Sequence, residues 1–135
     1  MEPMMKKVYS IVITDKLHAC ADFYTRHFNF TVVFQEDWYV HLVHETSGAE
    51  LAFMAPNTAS QPPQLQGSYP GAGIVLSLEV ENAEQQFRRL AGNPDCDIFL
   101  PLKDEPWGQR HFMLQDPAGL SIDVVEQRDG EAQSA

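Results

Sequence analysis

The chain of 135 residues is 44% hydrophobic and 21% charged, a composition that supports a single soluble domain with a real core. Nine Lys and Arg against 19 Asp and Glu leave a formal charge of −10, which argues against nucleic acid or an acidic membrane surface as a partner, since both require clustered bases. No apolar run reaches the roughly 18 residues of a membrane span, and the N-terminus lacks the basic-then-apolar layout of a signal peptide, so a cytoplasmic protein is expected, with Cys20 and Cys96 as buried thiols rather than a disulfide framework.

From Lys7 to Thr14 the run KVYSIVIT is rich in β-branched residues and predicts a strand. Asp15 can cap a following helix whose apolar positions Leu17, Cys20, Tyr24 and Phe28 recur every three or four residues. His18 and His27 fall on this helix as surface or edge residues. Phe30 to Phe34, Trp38 to His44 and Glu50 to Met54 are three short β-prone runs separated by polar breaks, and read as an antiparallel meander. Residues 55–71, APNTASQPPQLQGSYPG, carry four prolines and little apolar surface, the composition of a linker.

The order then repeats. Ile74 to Val80 predicts a strand, and Asn82 with Gln85 three residues on predicts a helix start. That helix is buried through Phe87, Leu90 and Ala91 and ends at Gly92 and Pro94. Asp97 to Leu102, Gln109 to Gln115 and Leu120 to Glu126 are three further strands. The last two are joined by Asp116-Pro117-Ala118-Gly119, a sequence suited to a type I turn. The fold class expected is therefore α+β, with two βαβββ modules at residues 5–54 and 72–126 and helix starts at Asp15 and Asn82, 67 residues apart. Residues 127–135 are polar and small and predict a frayed tail.

The repeated βαβββ order, Phe23-Tyr24 in the first helix, and above all KDEPWGQRHFMLQDPAGLSIDVVE at Lys103 to Glu126 resemble the vicinal oxygen chelate superfamily, which includes glyoxalase I, extradiol dioxygenases and fosfomycin- and bleomycin-resistance proteins. The resemblance spans about residues 6–126 and implies a curved mixed sheet around a cleft. In metal-using members, it further implies, each module gives one ligand from its first strand, usually His, and one carboxylate from its last. Counting back from the helix starts puts the first-strand positions on Val8 and Val75, which cannot bind a metal and would line the cleft. The last-strand positions fall on Glu50 and Asp123. Alternation supports both, since Leu120, Ile122 and Val124 can face the helix while Asp123 faces away, and Leu51 and Phe53 likewise oppose Glu50.

His41 and His44 lie three apart on one strand and so on opposite faces, which prevents joint chelation. His41 and His111 remain as site candidates, His111 on a strand that the resemblance implies lines the cleft. Trp38, Trp107 and Met113 offer apolar lining, and Arg110 either pairs with a neighbouring acid or enters the cleft to hold an anion. The ligand-binding set is thus Glu50, Asp123, Trp38, His41, Trp107, Arg110, His111 and Met113. Two carboxylates in a partly apolar cleft would repel, a conflict that a bound cation or a raised pKa would relieve.

The expected function is binding of a small amphipathic molecule, cationic if it is to satisfy both acids, in the manner of bleomycin-resistance proteins. No cofactor and no metal of the family's usual kind is expected. The alternative is a metal-dependent lyase, isomerase or dioxygenase using Glu50, Asp123 and a histidine, in which a hard divalent ion such as Mg²⁺ or Mn²⁺ would suit the oxygen donors. A third reading is an interaction module with a vestigial cleft. Sheet edges that need covering, together with a long linker, predict a homodimer.

Overall fold

The computed structural model describes residues 4–128, so most of the predicted tail lies outside the described residues. The chain divides between Pro70 and Gly71 into two units. In the first, β1 (Ser10–Ile13), α1 (Leu17–His27), β2 (Phe30–Glu36), β3 (Tyr39–His44) and β4 (Glu50–Met54) follow in order. They build one sheet ordered β1-β4-β3-β2, parallel between β1 and β4 and antiparallel elsewhere. In the second unit, β5 (Val75–Glu79), α2 (Ala83–Leu90), β6 (Asp97–Glu105), β7 (Gln109–Gln115) and β8 (Ser121–Gln127) give the same order, β5-β8-β7-β6. Each unit is a βαβββ module with a mixed sheet, as the sequence predicts.

Each helix packs on one face of its sheet. On α1, Leu17, Cys20, Ala21 and Tyr24 are buried, and the Tyr24 ring stacks on Phe53 and meets Phe30 edge-on. Alternation then sends Val40, Leu42, Leu51 and Phe53 to this core and their neighbours to the other face. In the second module Phe87 of α2 meets Phe112 edge-on, and Leu114, Ile122 and Val124 are fully buried beside them.

Several local expectations need correction. Asp15 does not cap α1: the helix starts one residue later from Lys16, with no side-chain cap, because the Thr14 hydroxyl accepts the Lys16 N–H at 3.1 Å and closes a turn first. His27 is not a surface residue but is buried on the helix face of Tyr24, its ring 5.2 Å from Phe23. Cys96 is only half-buried, whereas Cys20 is buried as expected. The strand predicted to end at Leu102 runs on to Glu105, and register shifts between Ile98 and Lys103 keep the longer strand paired.

The segment after β4 is not featureless. Residues Pro63–Leu65 form a short 3₁₀ turn, and the Gln66 side-chain amide donates to the carbonyls of Thr58 at 2.9 Å and Gln61 at 2.6 Å. The Tyr69 N–H donates to Ile13 O at 2.7 Å, which fastens the end of the segment to β1.

The helix start at Asn82 and the turn at Asp116 both form. Asn82 accepts the Gln85 N–H at 3.0 Å, and Asp116 accepts from Ala118 and Leu120 while Gly119 takes the positive φ of 85° that the turn demands. The difference between the two helix starts is testable. Asn82→Ala should lower the stability of the full chain by about 1 kcal/mol, and Asp15→Ala should change it by no more than about 0.5 kcal/mol, both read from urea unfolding midpoints.

Candidate functional site

The sheet face opposite each helix carries the titratable residues. On β3 and β4, His41 stands opposite Ala52 and Glu50 opposite Val43, so His41 and Glu50 are diagonal neighbours on that face. On β7 and β8, His111 stands opposite Val125 and Asp123 opposite Met113, the same diagonal relation. Each module thus carries one histidine–carboxylate pair at an equivalent place in its sheet. The His41 Nε2–Glu50 Oε1 distance is 2.6 Å, and that of His111 Nδ1–Asp123 Oδ1 is 2.7 Å.

The third partners differ. In the first module, Tyr39 Oη lies 2.9 Å from His41 Nδ1, Tyr9 sets its ring edge-on to His41 at 4.6 Å, and Lys7 Nζ reaches Glu50 Oε1 at 3.1 Å. The hydrogen bond from His41, and then the one from Lys7, hold the Glu50 carboxyl below its usual range despite some desolvation. Burial, the neighbouring Tyr9 and the charge of Glu50 push the Tyr39 phenol up, so it stays protonated as a donor.

In the second module a carboxylate takes the place of the phenol. Glu105 Oε2 lies 2.8 Å from His111 Nε2, and Lys103 Nζ lies 3.5 Å from the same oxygen. With an acid on each ring nitrogen, both nitrogens must donate, which is the imidazolium arrangement. Burial works against the charge on His111, but Glu105 and Asp123 together outweigh it and raise its pKa. The hydrogen bond from His111 lowers the Glu105 carboxyl in turn.

The remaining expected site residues divide by face. Met113 shares the site face with His111, directly opposite Asp123. Trp38 and Trp107 sit in the β2–β3 and β6–β7 turns, Trp38 tilted against Tyr39 and Trp107 donating to Gln109 Oε1 at 2.8 Å. Arg110 does not join the site. It alternates with His111 toward the helix face, where its guanidinium holds Asp104 at 2.6 and 3.2 Å and reaches Glu84 of α2 at 3.6 Å.

Strand register sets which first-strand residue stands opposite each acid. Ser77, not Val75, pairs with Asp123, and Val75 lies two residues further along opposite Ser121. Ser10 pairs with Leu51, so the residue that continues the register beside Glu50 is Tyr9. Val8 precedes the strand, is 75% exposed, and falls on the alternate parity. A count from the helix starts cannot detect this, because it does not fix strand register: both connections span three residues, yet Tyr9 lies eight residues before α1 and Ser77 six before α2. Tyr9, Ser77, Lys7, Tyr39 and Glu105 are absent from the expected set; strand register marks the first two, and side-chain contacts in the folded sheets mark the other three.

The sequence model of the Glyoxalase/Bleomycin resistance protein/Dioxygenase superfamily matches residues 8–124. The chain belongs to this superfamily. Among solved structures, a glyoxalase/bleomycin resistance protein/dioxygenase from Nocardioides is similar at TM-score 0.71 and 18% identity, over 96% of this chain and 88% of that one. A superfamily member from Sphaerobacter thermophilus matches at 0.71 and 21%, over 91% and 98% of the two chains. A lactoylglutathione lyase from Agrobacterium tumefaciens matches at 0.71 and 19%, over 93% and 96%. At these identities the likeness establishes the shared fold. No curated protein matches the sequence.

A divalent metal of the kind the superfamily implies does not fit the residues present. The first-strand positions hold Tyr9 and Ser77 in place of imidazoles, and Lys7 occupies the Glu50 oxygen that also receives His41. All four ring nitrogens of His41 and His111 are already committed within their own modules. The His111 ring lies between its two acids, so these three groups do not converge on a common point. Among the described residues no cluster of three or more His, Cys, Asp or Glu is arranged to hold a metal ion.

The His111 clamp has a pH signature. Because its folded pKa is raised, its contribution to stability is complete below the ordinary value of 6.5 and is lost as pH rises through the higher folded value. Urea midpoints of the wild type and His111→Gln should therefore differ most on the acid side of that window and converge toward alkaline pH. A gap that is constant with pH would mean the ring is neutral in the folded protein.

Proposed function

We propose that this superfamily member binds a small amphipathic organic molecule and does so without the superfamily's metal. The observation that carries the reading is the make-up of the helix-free faces. In the first module the compensated polar cluster of Tyr39, His41, Glu50 and Lys7 is flanked on the same face by Tyr9, Ile11 and Phe34, which are 40%, 43% and 49% exposed. In the second, Val75 at 53% exposure lies on the same face as Asp123, two residues along β5 from Ser77, which pairs with that acid. Apolar surface surrounding a few fixed polar groups is the usual composition of a small-molecule site.

A cationic ligand is no longer required. The expected repulsion between Glu50 and Asp123 rested on both being unpaired, whereas Lys7 and His41 compensate one and His111 the other. A protein of this kind would act in the cytoplasm as a homodimer. Each four-stranded sheet has edge strands, and exposed Val33 and Phe34 on β2 and Phe99 on β6 are apolar residues that an edge rarely leaves bare.

Native mass spectrometry with elemental analysis of protein purified without chelator tests the reading. Expected is a dimer that carries less than stoichiometric metal and whose thermal stabilisation by aromatic amphiphiles is unchanged by chelator. Stoichiometric transition metal that is lost from both Glu50→Gln and Asp123→Asn would instead establish the metal-enzyme alternative.

A further inference from the structure

The helix-free face of the first module already holds a cation, and the chain itself supplies it. Lys7 Nζ lies 3.1 Å from Glu50 Oε1, with the lysine side chain 55% exposed and the carboxylate 13%. The same ammonium stands over the Tyr9 ring, 5.8 Å from its centroid. A carboxylate together with an aromatic face is the pattern that recognises an alkylammonium group. Lys7 precedes β1, whose pairing with β4 begins at Ser10, so the lysine head can leave Glu50 without breaking that ladder. His41 Nε2 reaches the same carboxylate oxygen at 2.6 Å, which keeps Glu50 anchored when Lys7 is away. Ile11 and Phe34 extend the face with exposed apolar surface.

A half-exposed ion pair contributes little to stability, so this one matters more for what it excludes. We infer that Lys7 is a tethered occupant of an ammonium subsite formed by Glu50 and Tyr9, and that it makes this face select neutral over cationic amphiphiles. The inference rests on the small-molecule reading above and narrows its ligand class. A ligand whose apolar body covers Ile11 and Phe34 and whose head reaches Glu50 meets the charge of Lys7, which repels a cationic head and tolerates a neutral one. A ligand ammonium that took the place of Lys7 would compete with a group fixed three residues from Ser10. Such a tether keeps the local concentration of the lysine head at about the millimolar level or above.

Two probes titrated into the full chain with chelator present, and followed by NMR of the protein, test this. Benzyltrimethylammonium carries a permanent charge, and 2-methoxynaphthalene is neutral. Lys7→Met, which keeps the length of the side chain and removes its charge, should bind benzyltrimethylammonium about tenfold more tightly than the wild type, the scale of one ammonium contact with a carboxylate and a ring. Lys6→Met removes the same charge one residue away and should leave that affinity unchanged. The double variant Lys7→Met/Glu50→Gln should lose the gain, and 2-methoxynaphthalene should bind the wild type and Lys7→Met alike. No gain in Lys7→Met, an equal gain in Lys6→Met, a gain that survives Glu50→Gln, or an equal gain for the neutral probe would overturn the occupant role of Lys7 and leave the small-molecule reading intact. Failure of 2-methoxynaphthalene to bind the wild type would instead overturn the small-molecule reading and the selectivity that rests on it.

Discussion

The alternation of side chains along the paired central strands is the constraint on which both core and site depend. On β3 and β4, Val40, Leu42, Leu51 and Phe53 go to α1, and for that reason alone His41 and Glu50 go to the opposite face. A slip of one residue would place the acid and the imidazole against the helix and the core leucines in their stead. The buried aromatic cluster of Tyr24, Phe30 and Phe53 therefore fixes the polar site without touching it.

The two modules repeat this geometry and differ in the residue that completes it. Both histidines sit diagonally from their acid, but the first bonds it through Nε2 and the second through Nδ1. The free nitrogen of the first meets a phenol and that of the second a carboxylate. In the second module the two acids together raise the pKa of His111 against the cost of burial. One sheet architecture thus holds two hydrogen-bonded clusters of different charge composition.

The same economy shapes the donor set of each sheet: both histidines are hydrogen-bonded within their own modules and Lys7 stands at Glu50. Membership of a superfamily fixes the architecture, and function resides in the particular side chains placed on the fold.

The amino-acid sequence by itself determined the two βαβββ modules, the Asn82 cap, the Asp116 turn and the facing of Glu50 and Asp123, because these depend on local periodicity and on hydrogen bonds spanning three or four residues. It also marked His41 and His111 as candidates. It did not reveal that each is bonded to the acid of its own module, since residues 9 and 12 positions apart meet only through strand pairing. Which first-strand residue stands opposite each acid was hidden for a related reason: parallel register between the first and last strands of a module is set by tertiary packing across some 40 residues of intervening chain. Arg110 shows the limit from the other side. Its sequence neighbours offered several acids; the β6–β7 pairing selected Asp104, and the packing of α2 against β7, with alternation turning the guanidinium toward that helix, added Glu84 and took it out of the site.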